Sequence, residues 1–325
     1  MMAPKILIGT GCWGHNFDIE KARDQVAQLN KLGCEQIDTA ALYPFTDPHT
    51  AEKFIGEIGH DGILVDTKAM WFDGGKHTLT VDAVAKSMEE SLSRLKTNKV
   101  NLFYALGPDH ATPLHEQAKA FDLVYRQGKC TKTALSNFSP QSLKEYLDIC
   151  DEMGYVKPSV FQGQYNILCR TYETSLFPLL RQHNIGFMAY SPLAGGLLTG
   201  KVTLTNNDPE KLKGTRFEVS KDNIMGMAGR HWYDKPSFHD AIRRFSEMCT
   251  EYGIDMAEAS MRWALNHSIL DGDKGDGIII GPRYQKQFDS YAAAIHGGPL
   301  PGALVESINA LWDGVAEDAA SIVVY

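Results

Sequence analysis

The chain has 325 residues but no apolar run near the ~20 residues that a membrane-spanning helix needs. Its N-terminus, MMAPKILIGTGCWG, holds too short an apolar stretch for a secretory signal. Paired cysteines are missing as well. Cys12, Cys34, Cys130, Cys150, Cys169 and Cys249 are scattered, with no CxxC. They read as reduced, mostly buried thiols of a cytoplasmic protein rather than as a disulfide framework. The eleven histidines are dispersed without ligand spacing, so no metal is expected. Positive charge is not in excess. A formal net charge of −8 and a pI near 5.8 argue against nucleic acid or an anionic membrane as a partner. A dinucleotide fingerprint is lacking too, because the turn GTGCWG at Gly9–Gly14 is not followed by the required glycine spacing. What remains has the 43% hydrophobic and 22% charged content of a globular chain. No linker divides it, and it reads as a single domain over residues 1–325.

Short apolar runs alternate with segments of helical period. The runs are Lys5–Ile8, Glu35–Thr39, Ile63–Thr67, Val100–Leu106, Thr131–Leu135, Ser159–Gln162 and Gly186–Tyr190. The helical segments are Asp18–Leu32, Thr50–Ile58, Val81–Leu95, His115–Gln127, Pro140–Met153 and Tyr172–Gln182. Runs apolar on both faces are what buried parallel strands require. Six β–α pairs before position 200 predict a parallel α/β architecture. The polar segment Lys201–Pro236 has no clear period and reads as a long loop, a common seat of function. Helices are expected at Phe238–Tyr252, Met256–Asn266, Tyr284–Ala294 and Pro301–Val315. Gly277–Gly281 (GIIIG) is taken as the seventh strand, with an eighth expected near Ala293–Gly297. Eight strands in about 300 residues, with polar residues at many strand ends, fit a (β/α)8 TIM barrel better than a doubly wound sheet.

Chemistry concentrates early. In Gln36–Tyr43, QIDTAALY, an apolar run leads to Asp38 and then Tyr43, and the next run ends at Lys68. A Tyr of ordinary pKa, about 10, is a poor acid near neutrality. A neighbouring ammonium stabilises the phenolate, and a carboxylate holds the ammonium in place. An acid, a phenol and an amine at the ends of two strands therefore suggest a tyrosine general acid. A loop cap, a half-buried aromatic and a solvated strand end would leave the same residues, so residue type alone keeps both readings open.

The ordered set of motifs settles more. QIDTAALY, VDTK at Val65–Lys68, LFY at Leu102–Tyr104 with PDH at Pro108–His110, and LSNFS at Leu135–Ser139 are followed by FQGQYN at Phe161–Asn166. AYSPLAGGLLTGK at Ala189–Lys201, GRHW at Gly229–Trp232 and MRWALNHS at Met261–Ser268 complete it. With these motifs the chain resembles the aldo-keto reductases, and among them the aflatoxin-aldehyde reductase branch, over nearly its whole length. The resemblance implies a barrel enzyme that reduces the carbonyl of a small molecule with NADPH, with Tyr43 as general acid, Lys68 tuning it and Asp38 holding Lys68. It implies that Ser136, Asn137 and Gln162 bind the nicotinamide carboxamide, and that Tyr190 stacks on the ring. Ser191, Leu193, Gly195 and Gly196 fall where the family wraps the pyrophosphate. Gly281, Arg283, Lys286 and Gln287 fall at its adenosine end, where Arg283 and Lys286 could pair a 2′-phosphate. There the chain departs from its relatives, with Pro282, Arg283 and Tyr284 after Gly281 and Tyr291 where Asn is usual. Relatives in the branch are often homodimers.

The largest departure is Leu106, which aligns with the family's catalytic His. Leu can neither orient a carbonyl nor assist proton transfer, and His110 lies four residues further on the following loop. Loss of one donor aimed at a developing oxyanion typically costs on the order of 10²–10³ in rate. The expectation is a reductase for a bulky or specialised metabolite, with Leu106, His110, Trp13, Trp71, Phe72 and Trp232 as candidate pocket residues. The alternatives are another step on the same scaffold (alkene reduction, dehydrogenation or rearrangement) and a cofactor-binding regulatory subunit. The first strand begins at Lys5, without the long N-terminal extension of the channel-associated members, and the acid, phenol and amine are all present, so an enzyme is favoured.

Overall fold

The computed structural model describes residues 2–218 and 224–323. Eight parallel strands close in sequence order into a barrel, with helices between them. The strands are β1 (Lys5–Gly9), β2 (Gln36–Asp38), β3 (Leu64–Lys68), β4 (Val100–Ala105), β5 (Cys130–Ser136), β6 (Val160–Gln164), β7 (Gly186–Tyr190) and β8 (Gly277–Ile280). Closure comes from β1 against β8, with Lys5 to Ile8 paired to Gly277 to Ile280. The (β/α)8 expectation stands, with two corrections. GIIIG is the eighth strand and not the seventh, and Ala293–Gly297 holds no strand, since the helix Gln285–His296 runs through it. Seven strands precede GIIIG, the seventh being β7 (Gly186–Tyr190), which a count of the six β–α pairs before position 200 leaves out.

Side chains alternate between two cores. Leu7, Leu102, Tyr104, Ala134, Val160, Met188 and Ile279 fill the barrel, and a larger cluster fills the space between strands and helices. Gly277 is a packing requirement, because a Cβ there would lie 2.7 Å from the Met188 sulfur and 2.9 Å from Leu7.

Several expected helices are shorter than their periodic pattern. Asp18 caps a helix over Ile19–Val26, and the pattern continues only as a 3-10 turn, Leu29–Leu32, closed by Gly33 at φ 58°. Tyr172–Gln182 divides into Tyr172–Ser175 and Phe177–Gln182, with Pro178 in the first turn of the second. The supposed loop Lys201–Pro236 carries short helices at Lys201–Leu204 and Pro209–Leu212 and a longer one at Ile224–Tyr233; positions 219–223 of that segment lie outside the described residues. Among the described residues no helix is long and apolar enough to cross a membrane.

Candidate active site

A cavity of about 880 Å³ opens at the C-terminal ends of the strands, the face where such barrels carry their chemistry. Asp38 ends β2 and Lys68 ends β3, both pointing inward. The Lys68 ammonium, 1% exposed, donates to Asp38 Oδ1 at 2.7 Å and to the Thr39 carbonyl at 2.8 Å. It lies 5.1 Å from the centre of the Tyr43 ring and 5.2 Å from that of Tyr104. Gln162, in the middle of β6, donates to the same Asp38 oxygen at 2.8 Å, so that carboxylate is clasped from two strands. Asp38, Tyr43 and Lys68, separated by up to 30 positions in the chain, therefore meet at one wall of the cavity.

The electrostatics differ in one respect from the simple expectation. Burial raises the Tyr43 phenol pKa above its usual value, and Lys68 and Arg216 only partly offset that. The phenol thus holds its proton throughout the neutral range. Burial opposes the charge on Lys68, but Asp38, Tyr43 and Asp66 together outweigh it and hold that pKa above its ordinary range. The arrangement is a neutral acid beside a permanent cation. Such a pair can donate a proton and then stabilise the anion left behind.

Leu106 follows β4 and lines the cavity with an apolar side chain. Its backbone carbonyl accepts from Asn137 Nδ2 at 2.9 Å, while Asn137 Oδ1 accepts from the Tyr190 hydroxyl at 3.1 Å. One amide thereby ties the ends of β4, β5 and β7 together. Asn137 takes a left-handed backbone, φ 60°, and Ser139 begins the next helix by capping Ser142 N–H. This sharp exit turns Ser136 and Asn137 into the cavity. His110 lies exposed on the loop beyond Leu106 and also lines the cavity. The neighbouring Asp109 accepts from the backbones of His77, Leu79 and Ala111 and from the Thr112 hydroxyl. That binds the loop after β3 to the loop after β4 and seats Trp71, whose indole donates to the Pro108 carbonyl at 3.1 Å.

The other arm of the cavity runs along the loops after β7 and β8. Tyr190, Ser191, Leu193, Gly195, Gly196, Gly281, Arg283 and Gln287 line it. Gly195 and Gly196 have φ of 67° and 111°, and nothing lies within 4 Å of a Cβ placed on Gly196, so the backbone is bare toward the cavity. Lys201, Lys213, Arg216 and Arg283 place four cationic side chains on the lining of a chain whose net charge is −8. The Arg283 guanidinium and the Tyr284 hydroxyl both donate to the Gly214 carbonyl, at 3.2 and 3.0 Å, drawing the loop after β7 across to the start of the last barrel helix.

Three of the expected residues fall elsewhere. Trp13 is fully buried, stacks on Phe17 and donates to Gln25 Oε1, so it packs the core instead of walling the cavity. Phe72 is 57% exposed and Lys286 is exposed, and neither lines the cavity. Trp71 and Trp232 do line it. Sequence reasoning missed Arg216, Lys213, Gln164 and the C-terminal pair Ile322 and Val323, all of which line the cavity. Only Gln164 left a signal, as the second glutamine of an alternating FQGQ; the others sit in aperiodic segments. Among the described residues no group of three or more His, Cys, Asp or Glu could hold a metal.

Residues 5–313 match the model of the Aldo/keto reductase family, and the chain belongs to that family. It is 33% identical over 327 residues to "Aflatoxin B1 aldehyde reductase member 2" of Rattus norvegicus, covering 98% of this chain and 87% of that protein. It is 31% identical to human "Aldo-keto reductase family 7 member A3", covering 97% and 96% of the two chains. To "Oxidoreductase sirO" of Leptosphaeria maculans it is also 31% identical, covering 98% and 96%.

Proposed function

We propose that the protein is an NADPH-dependent oxidoreductase that reduces the carbonyl of a bulky small molecule, with Tyr43 as general acid. The observation that carries this reading is the buried Lys68–Asp38 ion pair set against the Tyr43 ring on the cavity wall. The cavity fits the cofactor in its donor chemistry. Bare glycines and four cations suit a pyrophosphate and a 2′-phosphate, and the amides of Asn137 and Gln162 with the Ser136 hydroxyl suit a carboxamide. Tyr190 offers an aromatic face braced through Asn137. When bound, the reduced nicotinamide supplies the hydride. Tyr43 then delivers its proton to the carbonyl oxygen, and Lys68, held by Asp38, stabilises the phenolate until a solvent proton replaces the one lost.

Leu106 shapes the substrate side. Leu106 itself supplies no imidazole to polarise the carbonyl, so the reaction relies on Tyr43 as the hydrogen-bond donor to the oxygen. The apolar side chain also makes room for a hydrophobic body between Trp71 and Trp232. The same feature supports a second reading, in which the site serves a step other than simple aldehyde reduction, such as reduction of an activated alkene.

Single-turnover mixing with NADPH and a panel of aldehydes, ketones and enones tests this, following cofactor absorbance and fluorescence. Cofactor oxidation by carbonyls that Tyr43→Phe abolishes is the expected result. Tight NADPH binding with oxidation by no aldehyde or ketone would remove the first reading, and conversion of enones alone to saturated ketones, identified as products, would support the second.

A further inference from the structure

Gln164 occupies β6 two residues beyond Gln162, on the same inward face, with Tyr190 of β7 as its register partner. It lines the cavity and is 2% exposed. Neither its Oε1 nor its Nε2 meets a hydrogen-bond partner. The neighbouring amides are all engaged. Gln162 donates to Asp38, Asn137 bridges Leu106 and Tyr190, and Asn166 donates to the Ser191 carbonyl and the Tyr233 hydroxyl. A buried polar group left unpaired forfeits its hydration without compensation, and folded proteins keep few of them. Leu or Met would fill the same space in β6 without that penalty.

The cofactor reading already assigns the carboxamide three partners, Ser136, Asn137 and Gln162. Gln164 lies one side-chain layer nearer the mouth. We infer that Gln164 is a specificity-determining residue whose amide pairs with a neutral group on the substrate that both donates and accepts, a carboxamide or a hydroxyl. This rests on the proposed reductase reading. An ionised carboxylate would satisfy only the amide N–H groups and leave Oε1 unmatched. A purely apolar substrate would leave both atoms dry. A carboxamide or hydroxyl meets both, and a site built to bond such a group discriminates strongly against analogues without it.

The test compares the ortho, meta and para isomers of formylbenzamide with the matching tolualdehydes, on the wild type, Gln164→Met and Gln164→Leu. Both variants keep roughly the volume and remove the polarity, and two different apolar shapes guard against a folding defect in either one. The expected result is a loss of about tenfold or more in kcat/KM for at least one formylbenzamide in both variants. The tolualdehydes stay within about twofold, by the same reasoning that they never engage the amide. NADPH affinity, read by fluorescence, stays unchanged. Equal loss on both aldehyde classes, a fall in NADPH affinity, or no change on any isomer would overturn the inference. If the wild type turns over no aldehyde at all, the reductase reading fails and the inference is still read by binding. Formylbenzamide must then quench the fluorescence of the protein–NADPH complex at lower concentration for wild type than for Gln164→Met, and equal concentrations would overturn it.

Discussion

The two arms of the cavity are built on different principles. The acid arm consists of side chains at the ends of adjacent strands, Asp38 on β2 and Lys68 on β3, with Tyr43 on the short turn that follows β2. Its geometry is set by strand register, which pairs Asp38 with Asp66 and Lys68 with Tyr104, and by an ion pair with almost no solvent access. The other arm, proposed to take the cofactor's phosphates, is made of loops, with Arg216 and Lys213 on the excursion after β7 and Arg283 on the turn after β8. Its closure depends on exposed hydrogen bonds to one carbonyl, that of Gly214. A proton donor must be held to a fraction of an ångström at one atom. A polyanion is attracted over a longer range by charges that tolerate movement. The acid arm is accordingly buried, whereas the other arm is held by exposed contacts.

Substitutions can separate the two arms. The largest effect is expected for Tyr43→Phe, which removes the proton donor while keeping the ring. Turnover should fall by about 10²–10⁴, with NADPH affinity near that of the wild type. A parallel loss of cofactor binding would show that the arms are not independent.

Next is Leu106→His, which restores a donor beside the carbonyl. Generic aldehyde reduction should rise, by up to the order of 10²–10³ that one oxyanion donor supplies. No gain, with folding and cofactor affinity intact, would mean that the acid arm does not end where the register places it.

Arg283→Ala probes the other arm. Cofactor affinity should weaken by roughly tenfold, consistent with loss of one phosphate-pairing guanidinium. The single-turnover rate at saturating NADPH should change little. A larger drop for NADPH than for NADH would assign Arg283 to the 2′-phosphate.

The smallest effect is a pH dependence beneath the acid arm. Asp66 accepts from Gln36, Asn101 and the Leu102 N–H, and burial together with the nearby Asp38 raises its pKa to about 7. The folded protein thus holds a proton that the unfolded chain, with an ordinary Asp near 3.8, releases. Stability from this group is greatest below about pH 4 and falls as pH climbs toward about 7. Asp66→Asn keeps the shape and removes the titration. Its Tm relative to wild type should increase between pH 5 and pH 8, and an unchanged difference across that range would place the Asp66 pKa near its ordinary value.

Much of the cavity wall was legible in the sequence, because β-strand period and strand-end position are local properties. Asp38, Tyr43, Lys68, Ser136, Asn137, Gln162 and Tyr190 each close or follow an apolar run, and all of them reach the cavity. Where the reading failed, a local signal was ambiguous. Trp13 follows a strand just as Trp71 does, and only packing against Phe17 and Gln25 sends it to the core. Lys286 and Gln287 are neighbours at the start of one helix, and helical rotation decides which of them faces the cavity.

The sequence by itself determined the alternation of strands and helices, the barrel and the family motifs, because these follow from periodicity and residue order. Tertiary structure alone decided that GIIIG closes the barrel against β1, and that Arg216 and Val323 reach a cavity walled by Asp38. It also decided that Gln164 stands buried with no partner. These facts depend on contacts between segments more than a hundred residues apart, or on which neighbours an amide fails to meet. No local pattern encodes such distances; they are set only when the barrel closes and excludes water.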